Sequence, residues 1–435
     1  MSFRGRVWVL LISGLIGTYA LIGSMPMVGQ MLTTQAQQPT NDAGAQLRIV
    51  ESVLQHIQND YVDDPNMEKV RLGALRGLAG GLDPYSSFLT ADQVKEYQNK
   101  ANTKTSIGAD FSQVSGYLYI VSVIKGSPAD TAGLKAGDVI EYIDGKASRD
   151  ISLYDAEGLV SGQPGSQVAL RVLRSGEKPQ IIKVTRGSYK IPSVESRVEG
   201  GKIGVIKVYS LESGESSDIR TQLQNLQKQG IQKVVLDLRG VAAGSMDEGV
   251  AVANLFIKDG NLATVVGKDN KITRSFAADP SKFVFGGDTA VLIDLGTAGA
   301  GEIVASAFAD RKRGDVVGER SFGAGTEQQL FTLKSGEGLL LTTAKWASST
   351  GIPFLGEDRT NTGVKPTVEV KRPDTPEPLE VEELIDQNDQ QTRDPQAAAT
   401  PAVKPEVKKA PAEDIQLKKA LEILQGKSQA AKAGQ

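Results

Sequence analysis

Chemistry is most concentrated between Val291 and Leu330, which reads VLIDLGTAGAGEIVASAFADRKRGDVVGERSFGAGTEQQL. An apolar strand, Val291 to Leu295, meets a Gly-rich turn, Gly296 to Gly301. A helix is expected to open at Glu302 with Ile303, Val304, Ala307 and Phe308 on one face. A short strand, Asp315 to Val317, then precedes a second Gly-bearing loop, Ser321 to Thr326. A strand, sharp turn and helix N-terminus suit nucleophiles and oxyanion-binding amides, because free N–H groups and the helix dipole favour negative charge there. The hydroxyl within this turn is that of Thr297. Ser306 lies one helical turn in, where a backbone carbonyl is the expected partner.

Composition narrows the mechanisms this turn could serve. The 435 residues contain no cysteine and one histidine, His56. Cys–His catalysis, Ser–His–Asp hydrolysis and His-rich metal sites are therefore excluded, and no cofactor is expected. A hydroxyl nucleophile paired with a lysine is the device that remains, with Lys312 and Lys345 as unsupported candidate bases. The chain is 40% hydrophobic and 23% charged, with net charge −3, which leaves no basic footprint for nucleic acid. Its length suits two or three domains.

The chain opens with Arg4, Arg6 and an apolar run from Val7 to Gly23, which reads as an export signal or an uncleaved N-terminal anchor over residues 1–36. The bulk of the protein is thus expected outside the cytoplasm, periplasmic or in the cell envelope, with membrane contact through this segment only. Ala45 to Tyr61 and Met67 to Ala79 read as helices, the first with Leu47, Val50, Leu54, Ile57 and Tyr61 in one stripe. From Thr103 to Arg186 the pattern turns to strands, with a helix from Ser152 to Val160. Lys202 to Tyr209, a helix from Glu215 to Lys228, a strand from Lys233 to Leu238 and a helix from Met246 to Ile257 follow. Leu339 to Thr343 and Thr367 to Val370 add strands. Lys371 to Pro411 is Pro-, Ala- and acid-rich without periodicity and reads as a linker. Asp414 to Gln425 aligns Leu417, Leu421 and Leu424 in a helix too short to stand alone, so it docks on this chain or on a partner.

Several of these stretches together resemble the carboxyl-terminal processing (tail-specific) proteases, whose core pattern is roughly G-S-A-S-A-S-E-I-[VF]-A followed by T-F-G-K-G-[ST]-x-Q. Residues 296–305 and 321–328 match the two motifs at the family's spacing. The resemblance makes position 299 the nucleophile and position 324 the general base, yet these hold Gly299 and Ala324. Gln328 matches the remaining polar residue, and Thr297 is a possible substitute nucleophile. The oxyanion loop, D-L-R-x-N-P-G-G in the family, reads here Asp237-Leu238-Arg239-Gly240-Val241-Ala242-Ala243-Gly244. Residues 82–89, LDPYSSFL, resemble the motif preceding the family's PDZ domain, and 126–140, GSPADTAGLKAGDVI, a PDZ core. By that likeness the peptide site comprises the carboxylate loop Thr105-Ser106-Ile107-Gly108 and the accepting strand Ala109-Asp110-Phe111, with serine or threonine where glycines are usual.

The expected fold is mixed α/β: a protease-like α/β core with an inserted PDZ domain, an N-terminal helical segment and a C-terminal helix. Expected boundaries are 1–36 for the export segment, 37–102 helical, 103–188 PDZ, 189–371 core, 372–411 linker and 412–435 C-terminal helix and tail. The resemblance implies a serine-type peptidase family member without its dyad: a pseudoprotease that binds protein C-termini, alone or in a homo- or hetero-oligomer with an active relative. The competing expectation is an active serine- or threonine-dependent endopeptidase.

Overall fold

The computed structural model describes residues 43–99, 105–174, 177–357, 361–372 and 413–433. The expected export segment, residues 1–36, and all but the first residue of the expected linker, 372–411, lie outside them. Two compact units divide the chain after Gly73. The first contains helix α1 (Ala43–Asp60), whose Leu47 and Val50 are exposed within that unit. His56 in this helix is exposed and bonded to Asp60 one turn on. Helix α2 (Met67–Gly80) runs from the first unit into the second. Among the described residues, no helix is long and apolar enough to cross a membrane.

In the second unit, strand β1 (Ser87–Leu89) and helix α3 (Ala91–Asn99) follow α2. The expected turn before α3 is more than a turn. Asp83 accepts from the amides of Tyr85 and Ser86 and from Thr342 Oγ1, which pins β1 antiparallel to a strand from far down the chain.

Strands β2 (Ala109–Val114), β3 (Tyr117–Val123), β4 (Val139–Ile143), β5 (Lys146–Ala147), β6 (Gln167–Leu173) and β7 (Gln180–Thr185) form one antiparallel sheet in the order β2-β3-β4-β6-β7. Helix α4 (Leu153–Val160) is capped by Ser152 and buries Leu153, Ala156 and Val160 against Leu118, Ile120, Ile140 and Leu170. The groove between α4 and β2 lies on the helix-covered side of this small barrel. Its opposite face buries Tyr119, Val121 and Val139.

Strands β8 (Glu195–Glu199) and β9 (Ile203–Lys207), helix α5 (Glu215–Lys228), strand β10 (Lys233–Asp237) and helix α6 (Met246–Phe256) follow. Next come β11 (Asn261–Val266), β12 (Ile272–Ala277), β13 (Asp288–Ile293), helix α7 (Ala300–Asp310) and β14 (Asp315–Gly318). The series closes with β15 (Thr326–Thr332), β16 (Gly338–Ala347), β17 (Val368–Glu369) and helix α8 (Ile415–Ala433).

A six-stranded sheet runs in the order β17-β14-β13-β10-β9-β8, parallel except for β8. Its central strands are apolar at successive positions because both faces are covered. Val234, Leu236, Val291 and Ile293 face α5, α6 and α7, whereas Val235, Ala290 and Leu292 face the other side. That second cover is α8, which buries Ala420 and Leu424 completely. The C-terminal helix therefore docks on its own chain. Truncation after residue 412 is expected to cost roughly 3–5 kcal/mol from lost apolar burial, read as a lowered urea midpoint. An unchanged midpoint would contradict this packing.

Helix α7 differs from the expected amphipathic helix in two ways. It opens at Ala300 rather than Glu302, and every residue from Ala300 to Phe308 is buried. It lies between the parallel sheet and a second, antiparallel sheet ordered β1-β16-β11-β12 with β15 on β16, so neither flank reaches water. Arg372, taken as the first linker residue, instead belongs to the core. Its guanidinium donates to Asp294 and Glu319.

Candidate functional site

Loops leaving the carboxyl ends of β10 and β13 form the site, at the edge where open α/β sheets hold their ligands. After β13 the chain turns sharply and enters α7 through Gly299, which adopts φ 52°, ψ −107°. That is a left-handed, strained conformation for any residue with a Cβ. Space is not what excludes a side chain there. An added Cβ would lie 3.5 Å from Trp346 Cζ3 and 3.8 Å from the Ala242 carbonyl, both ordinary contacts.

Glu302 holds the site together. It is fully buried, and its carboxylate accepts four hydrogen bonds. Oε2 takes the amides of Gly299 at 2.8 Å and Ala324 at 2.9 Å. Oε1 takes the Gly323 amide at 2.8 Å and the Ser321 hydroxyl. Gly299 and Ala324 thus bring their backbone N–H groups to one oxygen atom, which sets the two positions side by side. Burial pushes the Glu302 pKa up to about 7, against the pull of the four donors. The loop 321–324 is fastened a second time where the Phe322 amide donates to the Thr297 carbonyl.

Thr297 does not face the cavity described below. Its buried hydroxyl donates to the Leu238 carbonyl at 2.9 Å and accepts the Asp294 amide at 3.1 Å, tying the turn to the end of β10. Ser306 donates to the Ile303 carbonyl, as a mid-helix serine is expected to. Lys345 reaches the Leu355 carbonyl, while its neighbour Trp346 points toward Gly299, since successive strand residues face opposite ways. Gln328 donates to Thr326 and Thr342. Thr342 in turn donates to Asp83, so the motif at 82–89 and Gln328 belong to one polar chain.

The loop 240–244 lies against this turn. The Gly240 amide donates to Asp294 Oδ1, and the Val241 carbonyl accepts the Ala298 amide at 2.9 Å. The Ala243 carbonyl accepts from Leu211, and Gly244 forms a bridge with that residue. Val241 is fully buried, and Ala242 packs with Ala298, Phe322 and Ala324 against Tyr119 and Val121 of β3. Tyr119 and Phe322 stack with centroids 5.7 Å apart. The loop's base is held by Arg239, which donates to both Asp237 and Asp414 at the start of α8. Although burial opposes it, Lys207 and Arg239 hold the Asp237 carboxyl below its usual range.

In the barrel, Thr105 exchanges backbone hydrogen bonds with Gly162 just past α4. Ile107 is buried, and Gly108 has φ 79° where a Cβ would strike Ser127 Cβ at 2.3 Å. Thr105 and Ser106, which replace glycines of the family loop, do not have positive φ. Their side chains therefore impose no backbone strain on it. Ala109, Asp110 and Phe111 form the first half of β2.

A cavity of about 350 Å³ joins the two halves. Ser106, Phe111, Glu157, Val160 and Ser161 line it from the barrel, and Ala242, Ala298 and Ala324 from the core. Tyr85 also borders it, its hydroxyl 3.3 Å from Ser112, and burial pushes its pKa up to about 12. Four contributors escaped the sequence reading as site residues: Glu302, Ser321, Trp346 and Glu157. Glu302 had a usable signal, a lone acid amid small and apolar neighbours.

The model of peptidase family S41 matches residues 202–370, and that of a PDZ domain matches 119–174. A probable CtpA-like serine protease of Staphylococcus aureus strain MRSA252 is 30% identical over 367 residues, 83% of this chain and 72% of its own length. This chain belongs to the carboxyl-terminal processing protease family. The carboxy-terminal processing protease CtpA of Bacillus subtilis is 31% identical over 322 residues, 74% of this chain and 68% of its own. Among solved structures, the photosystem II D1 C-terminal processing protease superposes with a TM-score of 0.62 at 26% identity, covering 75% of this chain and 93% of that one. The family's mixed α/β protease fold with a PDZ domain is accordingly the fold of this chain.

Proposed function

We propose that this family member does not cleave peptide bonds and instead binds polypeptide C-termini through its PDZ domain, as a scaffold or as a regulator of an active relative. The observation that carries the reading is the pairing of Gly299 with Ala324 on one carboxylate. These are the two positions that the resemblance gives to nucleophile and base, and neither side chain can attack a carbonyl or take a proton. Losing a serine nucleophile costs on the order of 10⁶ in turnover. The fully engaged hydroxyl of Thr297 supports the same view, because attack would require it to break its bonds to the Leu238 carbonyl and the Asp294 amide. The charge pattern of residues 1–36 supports an exported protein.

The purified protein is expected to leave an unstructured substrate with an apolar C-terminus intact and to resist acylation by a serine-directed probe. Turnover that disappears in Thr297→Ala would establish a threonine-dependent peptidase instead. Binding has its own test. A peptide with a free apolar C-terminus is expected to bind at least tenfold more tightly than its amidated form, measured by fluorescence anisotropy. The reason is that backbone amides around Ile107 need a carboxylate to satisfy them. Equal affinities would show that the 105–108 loop does not receive a tail.

A further inference from the structure

The cavity between barrel and core has an unusual charge balance. Its two charged lining residues, Asp110 on β2 and Glu157 on α4, are both acidic. Neither forms an ion pair among the described residues. Asp110 Oδ2 accepts from Ser122 Oγ, while Oδ1 takes no hydrogen bond among the described residues. Glu157 keeps solvent exposure at the cavity rim, yet partial desolvation of its carboxyl and the neighbouring Asp110 push its pKa up to about 7, and burial raises that of Asp110, with Glu212 adding to it. Like charges held together at a partly desolvated wall are unfavourable unless one takes up a proton or a cation joins them.

The same cavity is lined from the core by methyl groups, those of Ala242, Ala298 and Ala324. By the resemblance, position 324 is where relatives carry a lysine. Here a volume of about 350 Å³ is left open beside it. At roughly 30 Å³ per water, that is ample room for a long side chain. The cavity also continues into the groove between α4 and β2 through Phe111, Val160 and Ser161. A tail added as a strand along β2 would therefore lead its side chains past this opening.

We infer that the cavity receives a lysine or arginine side chain from a polypeptide tail bound along β2, with the cation between Asp110 and Glu157 and its methylene stem over Ala324. The protein thus selects tails that are basic upstream of their carboxylate. Long cationic side chains suit such a site because the stem covers apolar wall while the head group meets the acids. Charge pairs of this kind confer selectivity between partners more than raw affinity.

This rests on the tail-binding reading, and the test separates the two. A set of peptides with one free apolar C-terminus carries lysine, norleucine or glutamate at successive upstream positions, and each is titrated into the full protein. At one position the lysine peptide is expected to bind about tenfold more tightly than its norleucine counterpart, with glutamate the weakest. Glu157→Gln should remove most of the difference between the lysine and norleucine peptides. Ala324→Lys should place a cation in the cavity beforehand and reverse the preference. If lysine and norleucine peptides bind alike at every position while amidation abolishes binding, the groove takes tails and the cation site is overturned. If no peptide binds, both readings fall.

Discussion

Replacing Gly299 by Ser and Ala324 by Lys together is expected to create a peptidase that is detectable and poor. Both amides already converge on Glu302 Oε2, so the two new side chains start from neighbouring backbone. A Cβ at 299 meets nothing closer than 3.5 Å. Three costs keep the activity low. The serine must adopt φ 52°, ψ −107°, which costs about 1–3 kcal/mol in stability. The lysine enters a cavity walled by Asp110 and Glu157, whose negative charge raises its pKa and keeps it protonated, when a general base must be neutral. Val241, Ala242 and Ala243 differ from the family's oxyanion sequence, and one lost oxyanion donor costs about 10²–10³ in rate. Cleavage of a tail peptide, followed by mass spectrometry, should therefore increase with pH. It should increase again when Glu157→Gln relieves the lysine, and again with Asn, Pro and Gly at 241, 242 and 243. A variant changed at 299, 324, 241, 242 and 243 that folds, binds the peptide and cuts nothing would remove the support for assigning 299 and 324 to the dyad positions.

Glu302→Ala is expected to be the most destabilising single substitution in the core. It strands three buried amides and the Ser321 hydroxyl, whose other bond accepts the Val364 amide at 2.6 Å. Each unmatched buried donor costs about 1–3 kcal/mol, so the sum is of order 4 kcal/mol or more. Typical domains have only about 5–15 kcal/mol to lose. Urea unfolding followed by near-UV circular dichroism reads this directly. A loss under about 1 kcal/mol would mean that the loop 321–324 is held by something else.

The same carboxyl gives a pH dependence whose sign is set by its raised pKa. Below the ordinary value of 4.5 both folded and unfolded chains hold the proton. Between 4.5 and about 7 the folded chain keeps a proton that the unfolded chain has released, so stability falls as pH rises through that window. Above about 7 the difference is constant, at roughly 3 kcal/mol. Comparing wild type with Glu302→Gln across this range isolates the group from other carboxyls. A wild-type advantage that grows from pH 5 to 7 would show that the four donors outweigh burial.

Much of the architecture was legible in the chain of letters. Val234 to Leu236 and Val291 to Ile293 are apolar at consecutive positions, which only strands covered on both faces tolerate, and they are the centre of the parallel sheet. Helices α5 and α6 announce themselves by apolar spacing and, for α6, by a serine cap. Strands β12 and β15 do not. Ile272 to Ala277 and Thr326 to Thr332 are largely exposed or half-buried, so no alternation marks them, and they exist because β11 and β16 offer partners. The strand at 87–89 is likewise created by its pairing with Leu339 and Leu340.

The site divides along the same line. Residue identity alone showed that Gly299 and Ala324 can supply neither nucleophile nor base, because absent atoms do no chemistry in any fold. That their backbones share one oxygen of Glu302 was beyond the sequence, since the contact spans residues separated by a helix and a strand. The meeting of Asp110, Glu157 and Ala324 around one cavity was equally hidden. Local patterns report the periodicity of a single element, whereas a site is made where several elements end together, and only tertiary packing decides which ends meet.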